Sequence, residues 1–475
     1  MFSQQRVTAT LFETALNCLS SLIKIWQELR QNADKPFLHG AALAHSATRI
    51  DEPDYDVLVV GGGPAGSTVA ALLAERGERV LVLEKEHHPR FHIGESLLPL
   101  NVPLLERLGV KDEVDRIGMP KYGVEFVSPA HNKAMTLDFG QAWDKRYSYS
   151  YQVRRSEFDH VLIRNAQSKG ATIVEGMRVT DIAFPEPGRI VATGRDEAGG
   201  DHRFTARFVV DASGRDTLMA SKMAIKQRNP RHRSAAVFAH FEGAHRLADK
   251  AEGNISVFWF AHGWFWFIPL ADGTTSIGAV CPPEFIKARK TDVTSFLHSL
   301  IAMTPALAER LADATMVGEA QATGNYSYRA GRIHGPDYLM VGDAYAFIDP
   351  VFSSGVFLAM KGGFLAADVV ATCLHGTASQ AERAKRQYAA DVSKSLQRFS
   401  WYIYRMTRPA MRDLFMNPRN FFRIQEALLS LLSGDVFGAS PIRPRLMLFK
   451  GIYFIKTLAL KLTAPALPAP PLTKS

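Results

Sequence analysis

The sequence predicts a mixed α/β fold, with a largely parallel sheet flanked by helices, a second inserted sheet and a helical C-terminal lobe. Three observations predict it. The apolar run Tyr55–Val60 leads through a glycine-rich turn and a helical pattern to a second such run, Val80–Leu83, which is typical of a β-α-β unit. Strand and helix patterns then mix as far as Arg332. From about Gln380 the pattern is helical and basic.

Composition narrows the class of protein. The 475 residues are 47% hydrophobic and 22% charged, which is ordinary for a globular protein and excludes a disordered, collagen-like or coiled-coil chain. No run approaches 18 uncharged apolar residues, so a polytopic membrane protein is also excluded. Cys18, Cys281 and Cys373 lie far apart and form neither a disulfide framework nor a metal-ligand spacing. These features favour a reducing, cytoplasmic compartment.

The net charge of +9 is concentrated at the C-terminal end. From Glu382 onward there are 16 Lys and Arg against 5 Asp and Glu, a net of +11, which leaves −2 for the rest of the chain. A basic segment of this kind suits an acidic carrier protein or a membrane surface, or is simply a solvated face. Nucleic acid is not expected as a partner, because no helix-turn-helix, zinc or RNA-binding signature is present.

The turn after the first strand carries a dinucleotide-binding pattern. Gly61, Gly63 and Gly66 follow the strand and precede the helix, and Glu84 ends the next strand. The first glycine allows the tight turn, the second lets the backbone approach a pyrophosphate, and the third lets helix and strand pack closely. Glu84 is expected to accept hydrogen bonds from the ribose hydroxyls. The pattern alone leaves NAD and FAD open.

Two later segments favour FAD. Phe208–Arg215 is a strand that ends in a small-residue turn, and Leu339–Pro350 is a strand that ends in Gly-Asp. With these segments the sequence resembles the flavoprotein monooxygenases that share the fold of p-hydroxybenzoate hydroxylase. The resemblance implies a Rossmann-like FAD-binding domain, in which Asp343 binds the ribityl chain and Arg155 lies near the cofactor. It also implies that Pro350 contacts the cofactor and that the helix after it points at the flavin.

A tryptophan motif narrows the chemistry. Trp264-x-Trp266-x-Ile-Pro resembles the W-x-W-x-I-P signature of flavin-dependent halogenases, although two core aromatics on one face of a strand would give the same pattern. Further segments resemble the same family, in particular its pyrrolyl and phenolic members. They are Gly94–Pro99, Pro120–Gly123, Asp349–Val356 and Asn417–Phe437.

The resemblance implies an enzyme that makes hypohalous acid from chloride or bromide, O2 and reduced FAD (FADH2). Halide would bind at Ser354 and Gly355, with Gly355 and Val356 also contacting the cofactor. Trp264 and Trp266 would separate the flavin from the organic substrate, so that the hypohalous acid must travel to a second chamber.

A lysine is expected to hold the hypohalous acid in that chamber. The Pro-Lys-Tyr-Gly context points to Lys121, with Lys111 and Lys85 as the competing candidates. Burial in an apolar tunnel would lower the pKa of such a lysine and supply free amine.

The substrate is expected to be an electron-rich phenol or pyrrole. Tryptophan halogenases carry a glutamate where this chain has Phe352, so free tryptophan is not expected. A separate NAD(P)H-dependent flavin reductase would supply the reduced FAD. The substrate is either free or bound to an acyl carrier protein. The basic strip Leu446–Leu462 could dock that carrier, lie on a membrane surface, or merely cover the body of the enzyme.

The expected organisation follows from these segments. An N-terminal helical extension (1–50) precedes an FAD-binding domain (51–375) with an interleaved substrate-side sheet (about 115–155 and 220–330), a basic helical C-terminal lobe (376–464) and a disordered tail (465–475). No metal site is expected, since His87, His88 and His92 have no acidic partners at ligand spacing.

Alternative functions remain open at this point. An aromatic hydroxylase or epoxidase could keep the tryptophan strand, a reductase similar to the geranylgeranyl reductases shares the fold, and a scaffold protein that binds no FAD is a third alternative.

Overall fold

The structure is a computed structural model that describes residues 52–230, 232–324 and 327–463. The expected N-terminal extension and the proline-rich tail lie outside the described residues. The strands are β1 (Tyr55–Val60), β2 (Val80–Leu83), β3 (Met119–Lys121), β4 (Gly123–Ser128), β5 (Lys133–Asp138), β6 (Ser150–Gln152), β7 (Thr172–Val174), β8 (Arg178–Glu186), β9 (Arg189–Arg195), β10 (Asp201–Asp211), β11 (Lys226–Arg228), β12 (Ala235–Glu242), β13 (Ile255–Phe260), β14 (Gly263–Pro269), β15 (Thr275–Cys281), β16 (Thr315–Thr323), β17 (Tyr328–Ala330), β18 (Tyr338–Met340) and β19 (Ala346–Phe347). The helices are α1 (Pro64–Ala74), α2 (Val102–Leu108), α3 (Lys111–Ile117), α4 (Arg155–Ser168), α5 (Leu218–Lys222), α6 (Pro283–Lys287), α7 (Val293–Ala302), α8 (Pro305–Arg310), α9 (Gly355–His375), α10 (Ala378–Ile403), α11 (Pro409–Met416), α12 (Ile424–Leu432) and α13 (Arg443–Thr463).

The first sheet has the order β7-β2-β1-β10-β9-β8, with β18 also paired to β10. The strands β7, β2, β1, β10 and β18 run parallel, whereas β9 and β8 are antiparallel additions. Both faces of β1 and β2 are buried, which is why these strands are continuous apolar runs without alternation. The carboxyl ends of the parallel strands therefore share one edge, where α/β sheets bind their ligands.

The second sheet has the order β16-β12-β15-β14-β13-β4-β5 and is antiparallel except where β13 pairs with β4. It draws strands from two separate parts of the chain, one before and one after most of the first sheet. One face packs on the main core and the other on a smaller core that includes α7. Successive side chains of a strand point to opposite faces, so the position of each aromatic residue along its strand determines whether its ring lies on the face toward the first sheet.

The C-terminal part of the chain is helical, as the sequence predicts. The described residues from Pro53 onward form one compact unit, in which α10 packs along α9 while α13 packs on α11 and α12. Of the helices in the described residues, α9 alone is long and apolar enough to cross a membrane by length and composition, yet more than half of its apolar stretch is buried within the protein.

The first helix begins earlier than its pattern suggests. The sequence predicts a helix from Ser67, whereas α1 begins at Pro64, directly after Gly63. Proline suits the first helical turn because its missing N–H would have no partner there. The glycine-rich turn and the helix N-terminus are thus one feature, and the free backbone N–H groups of that end face the sheet edge.

Candidate active site

A cavity of about 800 Å³ lies at the carboxyl edge of the first sheet, and we call it the cofactor cavity. Its volume is within the range of roughly 300–1,000 Å³ that small-molecule and cofactor sites occupy. The predicted cofactor residues in its lining are Gly61, Gly63, Glu84, Arg155, Asp343, Gly355 and Val356. Residues separated by almost 300 positions in the chain therefore meet at one site.

The glycine-rich turn leaves no room for a side chain at Gly61 or Gly66. A Cβ on Gly66 would lie 1.9 Å from the carbonyl oxygen of Gly61, and Gly61 itself has a φ of +100°. Only glycine fits both positions, since a φ in this region is strained for other residues. The bare backbone brings the N-terminus of α1 against the cavity, which suits a pyrophosphate.

Glu84 holds the turn and faces the cavity. Its carboxylate accepts hydrogen bonds from the backbone N–H groups of Gly62 (2.6 Å) and Glu86 (3.0 Å). The side chain is buried at the end of β2 and lines the cavity. This is the position from which an acid can accept a ribose hydroxyl.

Arg155 and Asp343 are two further ionisable residues in the lining of the cofactor cavity. The guanidinium of Arg155 binds both oxygens of Asp159, at 2.8 and 2.9 Å, and Arg90 adds a third contact of 3.1 Å. Although burial opposes it, these arginines hold the pKa of Asp159 below its ordinary value. For Asp343, burial outweighs the positive charges of Arg215 and Arg155 and raises the pKa to about 7.

These features fit FAD. The glycine-lined turn would approach the pyrophosphate, Glu84 the adenosine ribose, and Asp343 the ribityl chain. The start of α9, with Gly355 and Val356, would face the ring system from the second side of the cavity.

A smaller cavity of about 110 Å³ adjoins the cofactor cavity, and we call it the chamber. The two share Arg155, Asp343 and Gly355 in their linings. The chamber is closed on one side by the tryptophan strand β14 and on the other by the loops that carry Gly94–Ser96 and Pro350–Val356.

Trp264 and Trp266 form a wall of the chamber. Both are buried, both line the chamber, and their ring centroids lie 6.1 Å apart. The indole N–H of Trp266 donates to Ser276 Oγ at 3.1 Å. Gly278 pairs with Trp266 across β14 and β15, and a Cβ there would lie 2.1 Å from the indole ring. The indole ring of Trp266 lies over Gly278, and the missing side chain at position 278 allows the ring to lie flat against the sheet.

Lys121 is buried at the end of β3, beyond the loop that closes the chamber. It is 1% exposed, and its Nζ donates to Ser96 Oγ and to the carbonyl oxygen of Leu97, both at 2.9 Å. The ring of Phe139 lies 5.4 Å from Nζ. Burial lowers the pKa of Lys121 to about 7. Because Ser96 lines the chamber, a single hydroxyl connects this amine to it.

The competing lysines differ from Lys121. Lys111 is paired with Asp115 at 2.6 Å, which raises its pKa, and Lys85 is paired with Asp216 at 2.7 Å. Each is therefore bound to a carboxylate away from the chamber, and neither lines it. The geometry favours Lys121.

The predicted halide loop is placed slightly differently from the expectation. Gly355, Val356 and Pro350 line the chamber, whereas Ser354 is buried as the residue before α9 and Ser353 is the serine in the lining. Ser353 has a φ of +54°, and this left-handed residue turns the loop toward the chamber. The sequence gives no sign of which of two adjacent serines faces inward.

Several residues at the site have no role in the sequence-based expectation. Glu95, Ser96, Ile93 and Arg215 line the chamber, and Gly278 supports its wall. His92 lines both cavities, and burial together with the charge of Arg155 lowers its pKa to about 4. Glu95 and Ser96 belong to the Gly94–Pro99 segment, so the resemblance marked the segment without indicating a role for them.

Comparison with known proteins agrees with this geometry. The family described as FAD binding domain matches residues 54–397. A tryptophan 2-halogenase of Chondromyces crocatus is 35% identical over 340 residues, which are 68% of this chain and 62% of that protein. A 1H-pyrrole-2-carbonyl peptidyl-carrier-protein brominase of Pseudoalteromonas luteoviolacea is 30% identical over 76% of this chain and 90% of its own length.

A solved structure extends the likeness to the fold. The structure of the myxobacterial chondrochloren halogenase, described as a variant of FAD-dependent halogenases, aligns with a TM-score of 0.69 and 32% identity. The alignment covers 87% of this chain and 98% of that one.

Proposed function

The chain belongs to the flavin-dependent halogenases, and on that premise we propose that it halogenates an electron-rich aromatic ring with hypohalous acid made from halide, O2 and reduced FAD. The observation that carries the proposal is the placement of Lys121. Its amine is fully buried, lies behind the loop that closes the chamber, and has a pKa of about 7. A lysine of that kind has little structural value and a clear chemical one.

Reduced FAD, when bound, would give two electrons to O2 and so bring oxygen to the level at which it can take two more from the halide. Glu84, Asp343 and the start of α1 bind and orient the cofactor. Gly355 and Val356 present the N-terminus of α9 to the chamber, where backbone N–H groups favour an anion.

The tryptophan wall supports halogenation over hydroxylation. Trp264 and Trp266 occupy the side of the chamber that an organic substrate would need in order to meet the flavin directly. The chamber itself, at about 110 Å³, is far smaller than the cofactor cavity of about 800 Å³. The small, neutral hypohalous acid can leave past Ser96, and the neutral amine of Lys121 can hold it by a hydrogen bond or take up the halogen as a haloamine with release of water.

We infer a phenolic or pyrrolyl substrate, which needs no protein base as strong as the glutamate that Phe352 replaces. The basic lobe supports a carrier-bound substrate, because an acidic carrier protein would be steered toward it. The brominase similar to this chain acts on such a substrate. A separate reductase would supply reduced FAD, and a cytoplasmic location is part of the proposal. The relatives give no support for the alternative in which α13 lies on a membrane.

Mass spectrometry of a single reaction tests the proposal. It contains the protein, FAD, NADH, a flavin reductase, oxygen and bromide, with a panel of phenols beside a pyrrolyl carrier protein. A bromine isotope doublet on any acceptor is the expected result, and omission of bromide must abolish it. A gain of one oxygen atom without bromine would instead favour a hydroxylase.

Monochlorodimedone, a general trap for hypohalous acid, serves as a control added to the same reaction. Halogenated trap with no halogenated acceptor would support oxidant formation and limit the failure to the choice of substrate.

A further inference from the structure

A buried carboxylate in the chamber plays no part in the steps described so far. Glu95 is 1% exposed and lines the chamber. Its Oε1 lies 2.8 Å from His240 Nε2, whereas its Oε2 is buried and has no hydrogen-bond partner in the part of the chain that the structure describes. Burying such an oxygen without a partner is costly, so its retention calls for a reason.

His240 links that carboxylate to the outside. It lies on β12, on the same face of the sheet as Phe238, which contacts Trp266 with a ring separation of 6.0 Å. The side chain of His240 is 12% exposed, and the half-exposed ring of Phe91 lies across its edge. Glu95 therefore belongs to the chamber lining with its Oε2 covered, while His240 lies nearer to solvent.

The chemistry of the proposed function requires a proton at this place. One halide ion, one O2, one FADH2 and one proton give one hypohalous acid, one water and one FAD. Two electrons come from FADH2 and two from the halide, and together they reduce both oxygen atoms. The proton must enter a chamber that is closed by aromatic side chains, together with a halide that brings a negative charge.

The other ionisable groups that line the chamber are poorly suited to supply that proton. They are His92, Arg155, Arg215 and Asp343. His92 has a pKa of about 4, so its ring is neutral at neutral pH and has no acidic proton to donate. Arg155 and Arg215 are engaged with Asp159 and with Thr323, and arginines do not release protons in proteins. Asp343 is the remaining rival in the lining, with the ribityl chain as its expected partner, and Lys121, which is one hydroxyl away behind Ser96, is a second rival.

We propose that His240 and Glu95 form a proton-delivery pair, which carries one proton from solvent into the chamber with each halide ion. This inference rests on the proposed function. Oε2 of Glu95 presents the proton to the chamber, and His240 reloads the carboxyl group from solvent through Oε1. Because the chamber is desolvated, halide and proton enter more favourably together than the halide does alone.

Equilibrium binding of bromide to the oxidised, FAD-loaded protein tests the pair without turnover. Flavin absorbance reports binding, and a pH indicator dye in weak buffer reports protons. We expect about one proton to be taken up per bromide, and bromide affinity to fall about tenfold for each pH unit in the alkaline range. Glu95→Gln, which keeps the size of the side chain, should take up no proton and bind bromide with an affinity that does not change with pH.

Four further variants separate delivery from a structural role. In His240→Gln the proton linkage should persist at equilibrium, while stopped-flow proton uptake slows at least tenfold. Asp343→Asn, studied at saturating FAD, and Lys121→Met should both keep the wild-type pH slope. His245→Gln is the matched control, because His245 forms a comparable pair with Asp313 that is exposed; it should match the wild type in slope and rate.

The results are decisive in either direction. A pH-independent bromide affinity in the wild type, or an unchanged slope in Glu95→Gln, would overturn the pair, and loss of the slope in Asp343→Asn or in Lys121→Met alone would assign the proton to that residue instead. Failure of the proposed function appears separately: intact proton linkage with neither a brominated acceptor nor a brominated trap would count against halogenation and leave the pair standing.

Discussion

Replacing Lys121 with methionine should abolish halogenation and at the same time stabilise the protein at neutral pH. The side chains are similar in length, so the cavity around position 121 stays filled, but the amine is gone. At pH 7 a lysine with a pKa of about 7 is about half neutral, whereas one with the ordinary value of 10.5 is neutral in roughly one molecule in three thousand. Lys121→Met should therefore remove the neutral amine that burial makes available at pH 7.

The stability effect follows from the same burial. The pKa of Lys121 is lower in the folded protein (about 7) than in the unfolded chain (10.5), so the unfolded chain binds more protons between these values. Burial of Lys121 therefore lowers the free energy of unfolding most below about pH 7, and this loss of stability disappears as the pH rises toward 10.5. At pH 7 the penalty is about 4 kcal/mol. Methionine leaves Ser96 and the Leu97 carbonyl group without their partner, at a cost of about 1–3 kcal/mol, so a net gain of about 1–3 kcal/mol remains.

Urea unfolding of the FAD-loaded wild type and variant at pH 7 and pH 9.5 measures this. The difference in unfolding free energy between Lys121→Met and the wild type should fall by about 3 kcal/mol from pH 7 to pH 9.5, because only the wild type gains stability over this range. FAD affinity should be unchanged. Retained halogenation would refute the role of the amine, and a difference in stability that does not vary with pH would refute the burial argument.

Four other predictions follow from the site. Gly278→Ala should push the Trp266 indole off the sheet, cost about 1–3 kcal/mol of stability and lower the fraction of consumed O2 recovered in product, which an oxygen electrode with product analysis measures. Trp266→Ala should lower that fraction further, and unchanged coupling would contradict the wall. Glu84→Gln should weaken FAD binding at least tenfold by calorimetry while leaving the fold intact. Lys461→Glu should raise KM for a carrier-bound substrate several-fold at low salt but not for a free phenol, and Lys290→Glu, an exposed lysine outside the lobe, is its control.

The local parts of the site could be predicted from the sequence. Gly61, Gly66 and Glu84 follow the pattern of a single β-α-β unit, and the position of their cavity follows from the shared edge of parallel strands. Trp264 and Trp266 lie on one face because side chains alternate along a strand. In each case the necessary information lies within about 30 residues.

The remaining parts depend on contacts between distant segments. The partners of Lys121 belong to the loop at Ser96, and their approach depends on the pairing of β3 with β6, which no local pattern gives. Gly278 has a role only through the register of β14 against β15. Glu95 acquires a partner only when β12 brings His240 beside it, 145 residues along the chain.

The glycine under Trp266 makes positions 266 and 278 depend on each other. The Cβ of any other residue at 278 would lie 2.1 Å from the indole ring, so a side chain there is accommodated only if the ring moves off the sheet. A smaller residue at 266 removes that conflict and frees the space above position 278. The two positions should therefore be varied as a pair when the chamber is redesigned, because each determines which residues the other can accept.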